Sequence, residues 1–221
     1  MSTAESPDRP LRKDAERNRQ RILAAAGEVF AEAGLAASLD AVAERAGVGV
    51  GTVYRRFPDK EALIDALFEA RVDEIVQIAT ECAQNPDAWD ALTCFLDRAI
   101  TLHGGDKALK EIVFSTAHGH ERVSGARERI KPLVAGLVAR AKDAGALRDD
   151  FDITDTPLIQ LMLTSVIEYA GDVSPDLWRR YLAIVLDGLR AGAKRTPLAP
   201  EGLSDDQLDV VMSRGFGASG R

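Results

Sequence analysis

Cysteine is scarce in this chain: Cys82 and Cys94 are the only two among 221 residues. They lack a close metal-ligand spacing and make no disulfide framework, so a reducing cytoplasm is the expected setting. Histidine is nearly as rare. His118 and His120 flank Gly119 beside Glu121, His103 lies far off in sequence, and neither arrangement matches a helical zinc pair. No metal or cofactor is expected. The opening residues, MSTAESPDRPLRKDAERNRQR, contain no apolar signal-peptide core, and no stretch is long and uncharged enough to cross a bilayer. A membrane partner is therefore not expected either. Phosphate-cradling GxxxxGK, a nucleophile elbow and HExxH are all absent. GVGVG lacks dinucleotide spacing and follows a helical pattern, not a strand. Nothing here points to an enzyme.

What is present is an acidic body with a different beginning. The formal net charge is −7. Residues 1–60 hold ten Lys/Arg against nine Asp/Glu, whereas the rest holds eighteen against twenty-six. An acidic chain is no general nucleic-acid coat, but its near-neutral start is compatible with local phosphate contact.

After a leader over 1–13, apolar spacing at Ile22, Ala26, Val29, Phe30 and Ala33 predicts a helix from Asp14 to Ala33. Arg12, Lys13, Arg17, Arg19 and Arg21 crowd its start, as a solvated end or as a phosphate-facing set. Ser38 and Asp40 suit the start of a second helix, and Gly47 closes it. A short element over 50–57 follows, with Val53 and Phe57 four residues apart as inner anchors. Helix, tight turn and helix of this size fit a DNA major groove. Arg55 can donate to guanine, Thr52 to a base edge or phosphate, and Tyr54 to a phosphate or pack inward. Lys60 opens the next helix, where its ammonium and the helix terminus can meet a phosphate.

The run from Arg21 through ILAAAGEVFAEAGLAASLDAVAERAGVGVGTVYRRFPDKEALIDALF resembles the N-terminal domain of the tetracycline-repressor (TetR) family, over roughly residues 15–68. The resemblance implies an all-α homodimer: a helix-turn-helix DNA-binding domain, here 14–60, and a helical regulatory and dimerisation domain, here 61–193. It implies a transcriptional repressor that binds a double-stranded DNA operator and is released by a small-molecule effector. By position, Ser38 matches a capping residue that often touches phosphate, and Thr52, Arg55 and Arg56 match the recognition helix. Tyr54 and Lys60 match phosphate contacts. Gly49 departs from the polar residue common there, and Arg55 and Arg56 replace the more usual aromatic or histidine. A corepressor-dependent repressor or an activator is the alternative within the class. A helical small-molecule-binding or scaffold protein without DNA binding is the alternative outside it.

Beyond Asp59 the pattern stays helical: 59–82, 88–103, 106–118, 123–144, 154–170 and 175–193, with a break at Asn85-Pro86-Asp87. Phe95, Leu102, His103, Phe114, His118, Leu137, Met162 and Tyr169 are candidates to line an effector cavity or to fill the core. Leu158, Leu161, Ser165, Trp178, Tyr181, Leu182, Val185 and Leu189 lie on the two late helices. Such helices are the family's usual dimer surface, though a plain core would use many of the same side chains. Residues 194–221 read as a mostly flexible tail with a short helix near Asp205–Met212.

Overall fold

The computed structural model describes residues 8–104, 119–192 and 196–213. Within them the chain is all-α: α1 Asp8–Ala33, α2 Leu39–Ala46, α3 Val50–Arg56, α4 Lys60–Cys82, α5 Ala88–Gly104, α6 Gly119–Asp143, α7 Asp155–Ala170, α8 Leu177–Leu189 and α9 Asp205–Ser213. The expected helix over 106–118 lies outside the described residues. Two compact units divide between Ala70 and Arg71, within α4.

In the first unit, α1 begins six residues earlier than apolar spacing predicts, because its first turns are polar and leave no periodic trace. Ile22, Leu23, Ala26, Val29 and Phe30 are buried, and α1 packs on α2 through Leu39, Val42, Ala43 and Ala46. The Ser38 hydroxyl accepts from the Ala41 N–H at 3.2 Å, as an N-cap should. Gly47 ends α2 at φ 63°, the left-handed conformation that glycine adopts without a Cβ clash. The Asp59 carboxylate accepts from the Ala62 N–H at 2.8 Å. Asp59 therefore caps α4 instead of starting it.

In the second unit α5 is the centre. Ala91, Leu92, Phe95, Leu96, Ala99 and Ile100 are all buried, and α5 packs against α6, α7 and α8. Val134, Leu137, Val138 and Ala141 answer from α6, Ile159 and Leu163 from α7, and Trp178, Leu182 and Leu189 from α8. An isolated antiparallel bridge, Leu147 to Arg190, ties the α6–α7 link to the end of α8.

Two expectations are overturned. Cys82 and Cys94 form a disulfide. They are 12 residues apart in sequence, but the turn between α4 and α5 folds the helices back and brings their Cα atoms to 5.8 Å. The described part of the tail, moreover, does not hang free. Arg148 donates to the Thr196 carbonyl at 2.8 Å, and the Leu198 N–H donates to Asp150 at 3.0 Å. Ser204 and Gln207 then cap α9 reciprocally, and Leu208 is buried. Arg127 and Lys131 of α6 pair with Asp205, and Arg127 also pairs with Asp209. These partners come from more than seventy residues away, so nothing in the tail's local composition announces them.

Candidate DNA-reading face

The turn between α2 and α3 is held from below. Val53 and Phe57 are buried, and the Phe57 N–H donates to the Val53 carbonyl at 2.8 Å. Arg21 of α1 donates to the Ala46 carbonyl at 2.6 Å, satisfying an end carbonyl of α2 that has no partner within its own helix. Arg21, though exposed, is thus engaged with the end of α2. Arg45 of α2 reaches back to α1, bonding Glu32 at 2.7 Å and Glu28 at 3.0 Å. The hydrogen bond and charge of Arg45 hold the Glu32 carboxyl below its usual range, and the same pairing raises the Arg45 guanidinium. Both groups are exposed, so the pairing chiefly sets geometry.

On this frame α3 turns a distinct set of side chains outward. Tyr54 is 49% exposed, Val50 and Arg55 are exposed, and Thr52 is half-buried. Arg55 Nη2 lies 3.4 Å from the Thr52 hydroxyl, and Arg55 has no carboxylate partner among the described residues. A Cβ at Gly49 or at Gly51 would meet nothing within 4 Å, so the start of α3 is bare and low. Gly49 supplies no side-chain cap there. Arg56 behaves differently from its neighbour. It turns to α1, donating to the Ala15 carbonyl at 3.3 Å with Glu16 at 3.9 Å. Arg17 is well exposed and pairs with Asp14 at 3.0 Å one turn earlier. Ser38 is exposed at the start of α2, and Lys60, half-buried, opens α4. The structure thus sets Thr52, Tyr54 and Arg55 together on one helix and draws Arg56 away from them.

The other predicted sets divide. Phe95 and Leu137 are core residues and Leu102 packs against that core. Met162 and Tyr169 stand on the surface, 56% and 89% exposed, and line no interior of the chain. Phe114 and His118 lie outside the described residues, as does the side chain of His103. Of the late-helix set, Trp178, Leu182 and Leu189 are buried within the protomer, because that stripe of α8 faces α5 and α7. Leu158, Leu161, Ser165 and Val185 are half-buried, and Tyr181 is exposed. Reading the late helices by hydrophobicity alone misses Ile184 and Val173, which are 59% and 90% exposed. The signal was the position of Ile184, three residues from Tyr181 on α8, off the stripe of Trp178 and Leu182.

Residues 22–67 match the model for bacterial regulatory proteins of the tetR family, and residues 85–191 match the C-terminal domain model of SbtR-like transcriptional regulators. A TetR transcription regulatory protein from Mycobacterium vanbaalenii is 33% identical, with 82% of this chain and 100% of that one covered and a TM-score of 0.64. The chain belongs to the TetR family. A TetR transcriptional regulator from Streptomyces coelicolor agrees at 31% identity, 79% and 99% coverage and a TM-score of 0.65. An HTH-type transcriptional regulator of Staphylococcus aureus (strain USA300) is 32% identical over 108 residues, 47% of this chain and 57% of its own. The chain thus spans a little over half the length of the curated relatives it matches. Within the TetR family, the first model ends three residues short of the division within α4, and the second ends before the docked tail.

Proposed function

We propose that this TetR-family chain is a homodimeric transcriptional repressor that reads a palindromic operator with α3 and is released by a small molecule bound in its helical body. The outward face of α3 carries the reading: Thr52, Tyr54 and Arg55 stand above buried Val53 and Phe57, beside glycines that leave room for a duplex. Arg55 donates to a guanine edge, and Thr52, whose hydroxyl already lies beside it, fixes the rotamer or meets the neighbouring base. Tyr54, Ser38, Lys60 and Arg17 contact phosphates and fix the register. Arg56 supports the face by tying the end of α3 to α1, in addition to any contact of its own.

The exposed stripe of the late helices supports dimerisation. Met162, Tyr169 and Val173 on and just beyond α7, with Tyr181 and Ile184 on α8, leave an apolar surface that a second copy would cover. Leu158, Leu161, Ser165 and Val185 border it. A single α3 covers too little DNA for strong specificity, whereas two related by a two-fold axis read both halves of a palindrome. Effector binding favours a different dimer geometry and lowers DNA affinity by reciprocal coupling. Sequencing the fragments that purified protein retains from a random DNA pool, at physiological salt, tests the whole proposal. An enriched palindrome is the expected result; no enriched site from a confirmed dimer would overturn it.

A further inference from the structure

The two cysteines take no part in the DNA-reading face. Cys82 is the last residue of α4 and is buried; Cys94 lies in α5 and is half-buried. The turn joining the helices is fixed without them. Arg140 of α6 donates to the carbonyls of Ala83 at 2.7 Å and Asn85 at 2.8 Å, and the Asp87 carboxylate accepts from the Asp90 N–H at 2.8 Å. That support holds the two Cα atoms within the span a disulfide bridges without backbone movement. The opened pair is therefore kept close enough to reclose.

The surroundings favour reaction. Arg98, one helical turn beyond Cys94, brings Nη1 to 4.0 Å from the Cys82 sulfur while Nη2 bonds Glu81 at 2.7 Å. A guanidinium beside the Cys82 sulfur favours its thiolate, the form that attacks an oxidised partner sulfur. The position also matters. Residues Lys60–Ala70 of α4 belong to the DNA-reading unit and Arg71–Cys82 to the other, so the disulfide pins the far end of a helix that runs through both.

We propose that Cys82 and Cys94 are a reversible redox pair, closed by a hydroperoxide and reopened by a dithiol, which couples oxidant to operator affinity through α4. The coupling rests on the DNA-reading function proposed above. A protein reading chromosomal DNA works where thiols are kept reduced, and there a disulfide is transient and serves catalysis or sensing. The more accessible Cys94 reacts first. Its thiolate attacks the peroxide O–O bond, forming Cys94–SOH and releasing an alkoxide that takes up a proton and leaves as the alcohol. The Cys82 thiolate then attacks the Cys94 sulfur, the S–O bond breaks, and hydroxide leaves as water after taking up a proton. Two thiols are oxidised by two electrons, and the hydroperoxide is reduced to alcohol and water. A dithiol reverses the bond by exchange and becomes a disulfide itself.

The experiment compares full-length protein after reduction with dithiothreitol and after one equivalent of tert-butyl hydroperoxide. Thiol titration and intact mass read the chemistry, operator binding reads the coupling, and amide exchange at Ile78–Cys82 reads the end of α4. The expected result is loss of both thiols, a mass lower by two hydrogens, and an operator Kd changed by about fivefold or more, the lower end of ordinary allosteric coupling. The change should reverse with dithiothreitol and vanish in the Cys82→Ser/Cys94→Ser variant. Arg98→Lys, which keeps the charge, should oxidise faster than Arg98→Gln. A disulfide that dithiothreitol leaves closed in the folded protein overturns the proposal, as do equal affinities in the two forms. If neither form retains DNA, the DNA-reading function is what fails. The redox pair then stands on reversible oxidation with slowed exchange at Ile78–Cys82, and falls without them.

Discussion

Arg55 and Arg56 are adjacent and chemically identical, yet α3 gives them different tasks. Arg56 bonds the Ala15 carbonyl of α1, while Arg55 stays on the outward face beside Thr52. Arg55→Ala is therefore expected to weaken operator binding by about 1–3 kcal/mol and non-specific binding far less. Competition titrations with operator and scrambled duplex check this; equal losses on both would make Arg55 a phosphate contact. Lys60→Ala should instead weaken both duplexes alike and reduce the slope of log K against log salt by about 0.9. A loss confined to the operator would remove Lys60 from the phosphate set. The motif shows that both arginines sit on the recognition element. It cannot show which one the first helix claims, because that depends on where the Ala15 carbonyl comes to rest.

Elements are held together here by their ends. Gly47 has φ 63°, and a Cβ there would also lie 3.1 Å from the Arg21 guanidinium that holds the end of α2. Gly47→Ala is expected to cost about 1–2 kcal/mol, read as a lower urea midpoint with unchanged m-value. At the other end of the chain α9 docks through charge as well as Leu208. The Asp205 carboxyl is held below its usual range by its hydrogen bond to Lys131, despite some burial, and by the charges of Lys131 and Arg127. A carboxylate with a lowered folded-state pKa stabilises above its unfolded value and loses that contribution as pH falls through the folded one. Docking of α9 should thus be constant from pH 5 to 8 and weaken below about pH 4, the ordinary carboxylate range. Amide exchange at Leu208–Val211 would show it, and Asp205→Asn should remove most of the acid-side step. The helix near Asp205–Met212 is legible from its own spacing, but its docking is not, since Arg127 and Lys131 come from α6.

At the scale of the whole molecule, the late helices must serve both a core and a surface. Trp178 and Leu182 face inward on α8, while Tyr181 and Ile184 face out. Ile184→Glu is expected to leave the protomer folded and to yield monomers in light scattering, with operator binding lost. Trp178→Ala should instead lower stability by about 3–5 kcal/mol, the usual cost of emptying a buried aromatic site. A stable dimeric Ile184→Glu protein would move the interface away from this stripe. Both residues look alike in the sequence, where any apolar residue on a late helix is a candidate for either role. Their separation requires the angle at which α8 lies on α5.

The sequence by itself determined the helix-turn-helix, because a capping serine, a left-handed glycine and apolar spacing act within a few residues of one another. Ser38, Gly47, Val53 and Phe57 all take the places their local chemistry assigns. Tertiary structure alone decided the rest. It joined Cys82 to Cys94, folded the tail onto α6, tied Arg21 and Arg56 to carbonyls of neighbouring helices, and set Met162 and Tyr169 on the surface. Each of these depends on a partner distant in sequence or on the rotation of a helix about its axis. Local propensity encodes where a helix begins and ends, but packing against the other helices chooses which side chains it covers.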